Sequence, residues 1–258
     1  MPEPRGGHKV RMTQIGLPSG VRACLFDLDG VLTPTAKVHA AAWKEMFDDF
    51  LRDLDGDGFR PFDSTDDYDS YVDGRPRADG VRTFLASRDI ELPEGEEDDP
   101  PQAGTVHGLG NRKNELVLEK IRKEGVQAYP GSVRYVEAVR AAGLRTAVVS
   151  SSANCRDVLV SAGIEHLMDV RIDGLVAVER GLRGKPKPDT FLAAAADLGF
   201  EPGQAAVFED ALVGMDAGRE GRFGYVVGVD RVGQAEELRR HGADTVVKDL
   251  ADLIGERA

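Results

Sequence analysis

The sequence predicts an α/β fold, a doubly wound parallel sheet with a helical unit inserted near its start. Three observations carry this. A short apolar run at residues 22–26 (RACLF) is followed, much later, by similar runs at 146–151 (TAVVSS), 205–210 (AAVFED), 225–230 (YVVGVD) and 244–247 (DTVV). Helical stretches lie between the later runs, and strands alternating with helices build parallel βαβ units. Between the first run and Tyr129, residues 39–54, 81–88 and 111–124 carry helical periodicity without comparable strands.

In chain order, residues 1–20 are rich in Gly, Pro and basic groups and read as a flexible leader. The first strand ends in Asp-Leu-Asp-Gly, a polar loop. The inserted unit follows, and its centre at 91–102 (ELPEGEEDDPPQ) is an acidic, Pro-rich solvated loop. From residue 129 onward the alternation of strands and helices resumes, so the core is Rossmann-like and comprises residues 21–37 and 129–258, with 38–128 inserted. The 258 residues suit one such core with one modest second unit.

Charge narrows the partners. With 33 basic and 45 acidic residues, the net charge of -12 repels phosphate backbones and anionic headgroups, which argues against nucleic acid and membrane surfaces. No apolar run approaches the ~18 residues of a spanning helix, and the N-terminus lacks the apolar stretch of a secretion signal, so a cytoplasmic protein is expected. Cys24 and Cys155 form no CxxC pair and read as buried thiols.

In open parallel sheets ligands bind outside the carboxyl ends of the strands. Here those ends are polar. Asp27 and Asp29 follow the first strand. Ser150, Ser151, Ser152 and Asn154 follow the second run, and their hydroxyl, amide and backbone N–H groups can hold an oxyanion. Glu209 and Asp210 follow AAVF, and the loop GKPKPD carries Lys185 and Lys187. Carboxylates converging at one sheet end need a cation among them, and oxygen ligands suit Mg²⁺. A phosphoryl group would bridge such a cation and a lysine, with one aspartate attacking phosphorus and the other moving the proton.

DLDGVLT, the run ending in SSSAN, GKPKPD and VFED, in this order, resemble the four motifs of the haloacid dehalogenase superfamily of phosphotransferases. The resemblance implies Asp27 as nucleophile, Asp29 as general acid/base, Ser150 holding phosphoryl oxygens and Lys185 neutralising the phosphoaspartate. It also implies Mg²⁺ held by Asp27, the backbone carbonyl of Asp29, Glu209 and Asp210. Lys187 then faces solvent.

The insertion resembles the helical cap of one branch of that superfamily, the β-phosphoglucomutase-like branch. Thr35 and His39 followed by Trp43 are similar to its first cap segment, with His39 and Trp43 one turn apart on a helix face. Within GRPRADG, Arg77 matches the arginine offered to the distal phosphate, with Arg75 as its rival. Within GLGNRKN, Lys113 and Asn114 would meet the sugar or its phosphate. Trp43 is open to two readings, a packing residue or a sugar platform. Three positions depart from the branch's pattern: Pro34 replaces a polar residue, Ala153 a lysine and Ala211 a serine.

The resemblance implies a monomeric Mg²⁺-dependent phosphotransferase acting on a phosphorylated sugar, interconverting β-glucose 1-phosphate and glucose 6-phosphate with β-glucose 1,6-bisphosphate as activator. A sugar-phosphate phosphatase using the same aspartyl-phosphate is the rival, and a non-catalytic phosphosugar-binding protein the third reading. The segment at 53–64 begins like a calcium loop but has Ser64 where such a loop needs Glu, so it reads as an acidic turn.

Overall fold

A computed structural model describes residues 12–255. Its core is one parallel sheet of six strands: β1 (Ala23–Phe26), β2 (Arg145–Val149), β3 (Val170–Ile172), β4 (Ala205–Glu209), β5 (Tyr225–Val229) and β6 (Thr245–Val247). They lie in the order β3-β2-β1-β4-β5-β6. The chain winds outward in one direction from β1 to β3, then returns to the other side of β1 with β4. β1 and β4 therefore flank the switch point at which ligand crevices form.

Every residue of β1 and β4 is buried, as expected of strands covered on both faces. Alternation sorts their side chains. Cys24, Phe26, Val148, Phe208 and Val227 pack toward Tyr135, Val136 and Val139 of α4 (Pro130–Ala141). Leu25, Val149 and Val207 pack on the opposite face against Phe191 and Ala194 of α7 (Asp189–Asp197). The remaining core helices are α5 (Cys155–Ser161), α6 (Gly174–Glu179), α8 (Leu212–Glu220) and α9 (Ala235–Arg240).

Between β1 and α4 lie α1 (Ala36–Asp55), α2 (Arg77–Ala86) and α3 (Val106–Glu124), with a π-helical turn at Tyr68–Val72. They enclose a cluster of their own. Trp43, Met46, Phe47 and Leu51 recur at helical spacing along α1 and meet Phe62, Phe84 and Leu109. Phe47 lies 4.1 Å from Phe84 and 5.2 Å from Trp43, centroid to centroid. Residues 91–102 contain no helix or strand, in line with the expected loop.

Several boundaries differ from the sequence reading. The helix expected at 81–88 starts at Arg77, because Pro76 directly precedes it in an extended conformation. The helix expected at 111–124 starts at Val106, where Thr105 Oγ1 accepts the Gly108 N–H at 3.0 Å and caps it. β3 was not foreseen. The leader expected at 1–20 is corrected over its described part: Ile15 and Leu17 are buried, and the Tyr135 hydroxyl donates to the Ile15 carbonyl at 2.9 Å. Its residues 1–11 lie outside the described residues. Among the described residues, no helix is long and apolar enough to cross a membrane.

Candidate active site

Strand register assembles the site. Phe26 of β1 is level with Val148 of β2 and Phe208 of β4, so Asp27 emerges beside Val149 and Glu209. The Asp27 N–H donates to the Phe208 carbonyl at 2.9 Å, which extends the ladder to Asp27. Carboxylate oxygens of Asp27, Glu209 and Asp210 lie within 4.8 Å of one another. Three hard oxygen donors so close fit a Mg²⁺-type cation.

Lys185 is the counter-charge. Its ammonium, buried, donates to Asp27 Oδ1 and Glu209 Oε1, and to the Val149 carbonyl at 3.4 Å. Burial pushes Lys185 down, but Asp27 and Glu209 more than offset it and hold its ammonium above the usual lysine value. Burial pushes the Asp27 carboxyl well above the usual carboxylate range; Lys185 opposes this, while Glu209 and Asp29 add to it. Asp210 is raised likewise by burial, then by Asp73, Glu209 and Asp27. The cluster therefore favours any ligand that adds positive charge.

Both Glu209 oxygens are engaged. While Oε1 holds Lys185, Oε2 accepts the N–H groups of Asp210 and Ala211, each at 2.9 Å. Only Oε1 keeps a free lone pair for a cation. Gly30 is required where the loop after β1 crosses Asp210: its φ is +89°, and a Cβ there would stand 1.7 Å from Asp210 Oδ2.

Asp29 lies next to the insertion. Thr35 Oγ1 donates to Asp29 Oδ1, and His39 Nε2 stands 3.6 Å from the same oxygen. Lys113 Nζ meets His39 Nδ1 at 2.8 Å and lies 4.7 Å above the Trp43 ring. A protonated Lys113 only donates, so Nδ1 accepts and the imidazole proton sits on Nε2, toward Asp29. Burial pushes His39 down to about 4, with Lys113 adding and Asp29 opposing. Burial pushes Lys113 down to about 7, with Asp29 opposing and Arg77 adding. Trp43 is buried and stacked on Phe47, so it is a packing residue that also lines the cavity wall.

The serine segment faces inward and across. Ser150 Oγ accepts the Ser152 N–H, and Ser152 Oγ the Asn154 N–H, both at 3.1 Å. Ser151 Oγ donates to the Gly74 carbonyl at 2.7 Å, and Asn154 Nδ2 to Asn114 Oδ1 at 2.8 Å. Both bonds join the sheet end to the insertion. Pro76 also packs on Gly184, where a Cβ would meet its Cγ at 2.1 Å.

Asp27, Asp29, His39, Trp43, Arg77, Lys113, Asn114 and the serines line one cavity of about 570 Å³ with Glu209 and Asp210. Thr35 instead touches Asp29. Asn154 lies behind Asn114, and Lys185 lies beneath Asp27. Arg75 and Arg77 both border the cavity; Arg77 runs over Gly110, whose missing side chain leaves room for it. Lys187 is half-exposed and paired with Glu220 at 3.0 Å. The sequence reading missed Asp73, which lines the cavity and is pushed up to about 7 by burial, then by Glu209 and Asp69. Its position directly before the GRPRADG segment was the available signal.

The family model for haloacid dehalogenase-like hydrolases matches residues 21–222. The chain is 56% identical over 252 residues to a β-phosphoglucomutase of Mycobacterium bovis, covering 95% of this chain and 96% of that protein. A β-phosphoglucomutase of Mycobacterium tuberculosis matches to the same extent. Among solved structures, β-phosphoglucomutase from Clostridium difficile superposes with a TM-score of 0.73 at 25% identity, covering 90% of this chain and 93% of that one. The motifs at the strand ends, the sheet order and these likenesses agree: the chain belongs to the haloacid dehalogenase superfamily of enzymes, in its β-phosphoglucomutase-like branch.

Proposed function

We propose that the protein interconverts β-glucose 1-phosphate and glucose 6-phosphate through an aspartyl-phosphate on Asp27. The observation that carries this is the buried Lys185 bridging Asp27 and Glu209 beside Asp210, in a cavity that also holds Arg77 and Lys113. A phosphatase needs a grip on only one phosphate, whereas a mutase must hold a bisphosphate at both ends. A guanidinium fork suits the distal end.

In this reading Asp27 first takes a phosphoryl group from the bisphosphate activator. The C6 hydroxyl of β-glucose 1-phosphate then gives its proton to Asp29 and attacks the phosphorus of phospho-Asp27, which breaks the acyl-phosphate bond, frees the Asp27 carboxylate and forms β-glucose 1,6-bisphosphate. After the bisphosphate turns over, Asp27 attacks the C1 phosphorus, the bond from phosphorus to the C1 oxygen breaks, and Asp29 returns its proton to that oxygen, giving glucose 6-phosphate and restoring phospho-Asp27. Ser150 and the neighbouring N–H groups hold phosphoryl oxygens, and Lys185 neutralises the acyl-phosphate. Thr35 and His39 orient Asp29, while Lys113 and Asn114 meet the sugar. Ser151, Ser152 and Asn154 support the loop and its junction with the insertion. Mg²⁺ would be held by Asp27, the Asp29 carbonyl, Asp210 and the free lone pair of Glu209, and supplies charge stabilisation to the phosphoryl group. Residues 38–128 act as a cap that excludes water. β-Glucose 1,6-bisphosphate serves as activator, and the working protein is a cytoplasmic monomer.

Incubation with Mg²⁺, β-glucose 1-phosphate and a trace of the bisphosphate, reading glucose 6-phosphate and free phosphate together, tests this. Glucose 6-phosphate without phosphate is expected. Stoichiometric phosphate release would instead identify a phosphatase, and no turnover of any phosphosugar a binding protein.

A further inference from the structure

The loop after β5 touches both carboxylate-bearing strand ends without lining the cavity. Asp230 folds it, its Oδ1 accepting the N–H groups of Gly233 at 2.6 Å and Gln234 at 2.8 Å. Arg231 then reaches back across the sheet end. Its Nε donates to the Gly30 carbonyl at 2.8 Å, Nη1 to the Lys248 carbonyl at 2.8 Å, and Nη2 to the Val31 carbonyl at 3.5 Å. The guanidinium lies 3.8 Å over the ring of Tyr129, whose N–H donates to the Leu32 carbonyl at 2.9 Å. From the same loop, Gln234 Nε2 donates to the Asp210 carbonyl at 3.0 Å.

These contacts converge on one place. Gly30 lies against the Asp210 carboxylate, with no room for a Cβ between them, and any shift of its carbonyl moves the loop that carries Asp27 and Asp29 relative to Asp210. The planar guanidinium holds three carbonyls on two separate segments from three nitrogens with fixed donor directions, a spread that the single nitrogen of an ammonium does not reproduce. Among the described residues Arg231 forms no tighter ion pair than that with Asp249, whose Oδ2 is 4.0 Å away.

We propose that Arg231 and Gln234 are positioning residues for the cation site, setting the separation of the Asp27 and Asp210 carboxylates through the main-chain carbonyls of Gly30 and Asp210. This rests on the reading that the acidic cluster binds a divalent cation. Groups that orient metal ligands typically change metal affinity by about 10–100-fold when removed.

Direct Mn²⁺ binding, followed by the loss of the free-ion paramagnetic resonance signal, tests it in the full chain, with thermal unfolding of each variant alongside. Arg231→Met is expected to weaken Mn²⁺ binding by about tenfold or more, and Gln234→Met by a few-fold, while both remain folded. Arg231→Lys, which keeps the charge but loses the fork, should stay weak; full recovery by lysine would reduce Arg231 to a charge effect and overturn its positioning role. Wild-type Mn²⁺ affinity in the methionine variants would also overturn the proposal. If Arg231→Met fails to fold, Gln234→Met decides, because among the described residues that amide donates to the Asp210 carbonyl alone. A wild-type protein that binds no Mn²⁺ would sink the cation reading itself and the proposal with it, an outcome distinct from equal binding by all the proteins.

Discussion

The side-chain amide of Asn154 donates to Asn114 Oδ1 at 2.8 Å, linking the start of α5 in the core to α3 in the insertion. With the Ser151 hydroxyl on the Gly74 carbonyl, it ties the insertion down over the sheet end. A hydrogen bond of this kind is worth about 1 kcal/mol net, or about fivefold in the closed population. Asn114→Ala should therefore raise phosphate release relative to sugar-phosphate isomerisation by about that factor, as water gains access. Parallel assays of the two products check it, and an unchanged ratio in the folded variant would contradict the closing role.

Removing Lys185 leaves Asp27 and Glu209 buried together without their shared cation. Breaking such a buried pair costs about 3–5 kcal/mol. Lys185→Met should lose stability of that order in urea unfolding near pH 8. The loss should shrink as pH falls, because the Asp27 carboxyl, held well above the usual carboxylate range by burial, takes up a proton instead. Activity should fall by at least about a hundredfold, because a charge aimed at the reacting group is gone.

Gly30→Ala places a methyl group where Asp210 Oδ2 now lies, at a backbone φ of +89°. The left-handed conformation alone costs about 1–2 kcal/mol. The sharper effect is displacement of the Asp210 carboxylate, so the variant should fold but require much more Mg²⁺ for half-maximal activity. A Mg²⁺ titration at fixed substrate measures this, and a curve superposing on wild type would show that Asp210 is not needed at that position.

Lys113 carries a pH signature. Its folded value is pushed down to about 7 by burial, with Asp29 opposing and Arg77 adding, whereas the unfolded lysine stays near 10.5. Between those values the unfolded chain binds the extra proton, so this group makes stability rise with pH. Wild type should gain stability from pH 7 toward pH 10 relative to Lys113→Met. His39 has the same sign in a lower window, losing stability as pH falls from about 6.5 to about 4. Thermal midpoints of wild type, Lys113→Met and His39→Gln across these ranges check both.

Much of this architecture was legible because parallel strands buried on both faces read as unbroken apolar runs, and their ends as abrupt polar ones. Asp27, Ser150 and Asp210 sit directly at the ends of such runs, so local spacing found them, whereas Lys185 lies between α6 and α7 and was found through its GKPKPD loop. β3 escaped because it is a three-residue edge strand, only partly buried. Ile15 and Leu17 escaped because two isolated apolar residues among Gly and Pro make no period. Arg231 and Gln234 act on main-chain carbonyls about 200 and 24 residues away, respectively, and a carbonyl leaves no mark in a sequence. Asp73 reaches the cavity only through the docking of its loop on Ser151, Ala211 and Gly184, a tertiary event.

The phosphoryl group is predicted to pass through Asp27. Intact-protein and peptide mass spectrometry after brief exposure to β-glucose 1,6-bisphosphate and Mg²⁺, followed by acid quench, reads this directly. A single acid-stable phosphoryl group on the peptide containing Asp27, absent in Asp27→Asn, is the predicted result. A phosphoryl group on another residue, or an Asp27→Asn variant that still forms the phosphoenzyme and turns over, would contradict it.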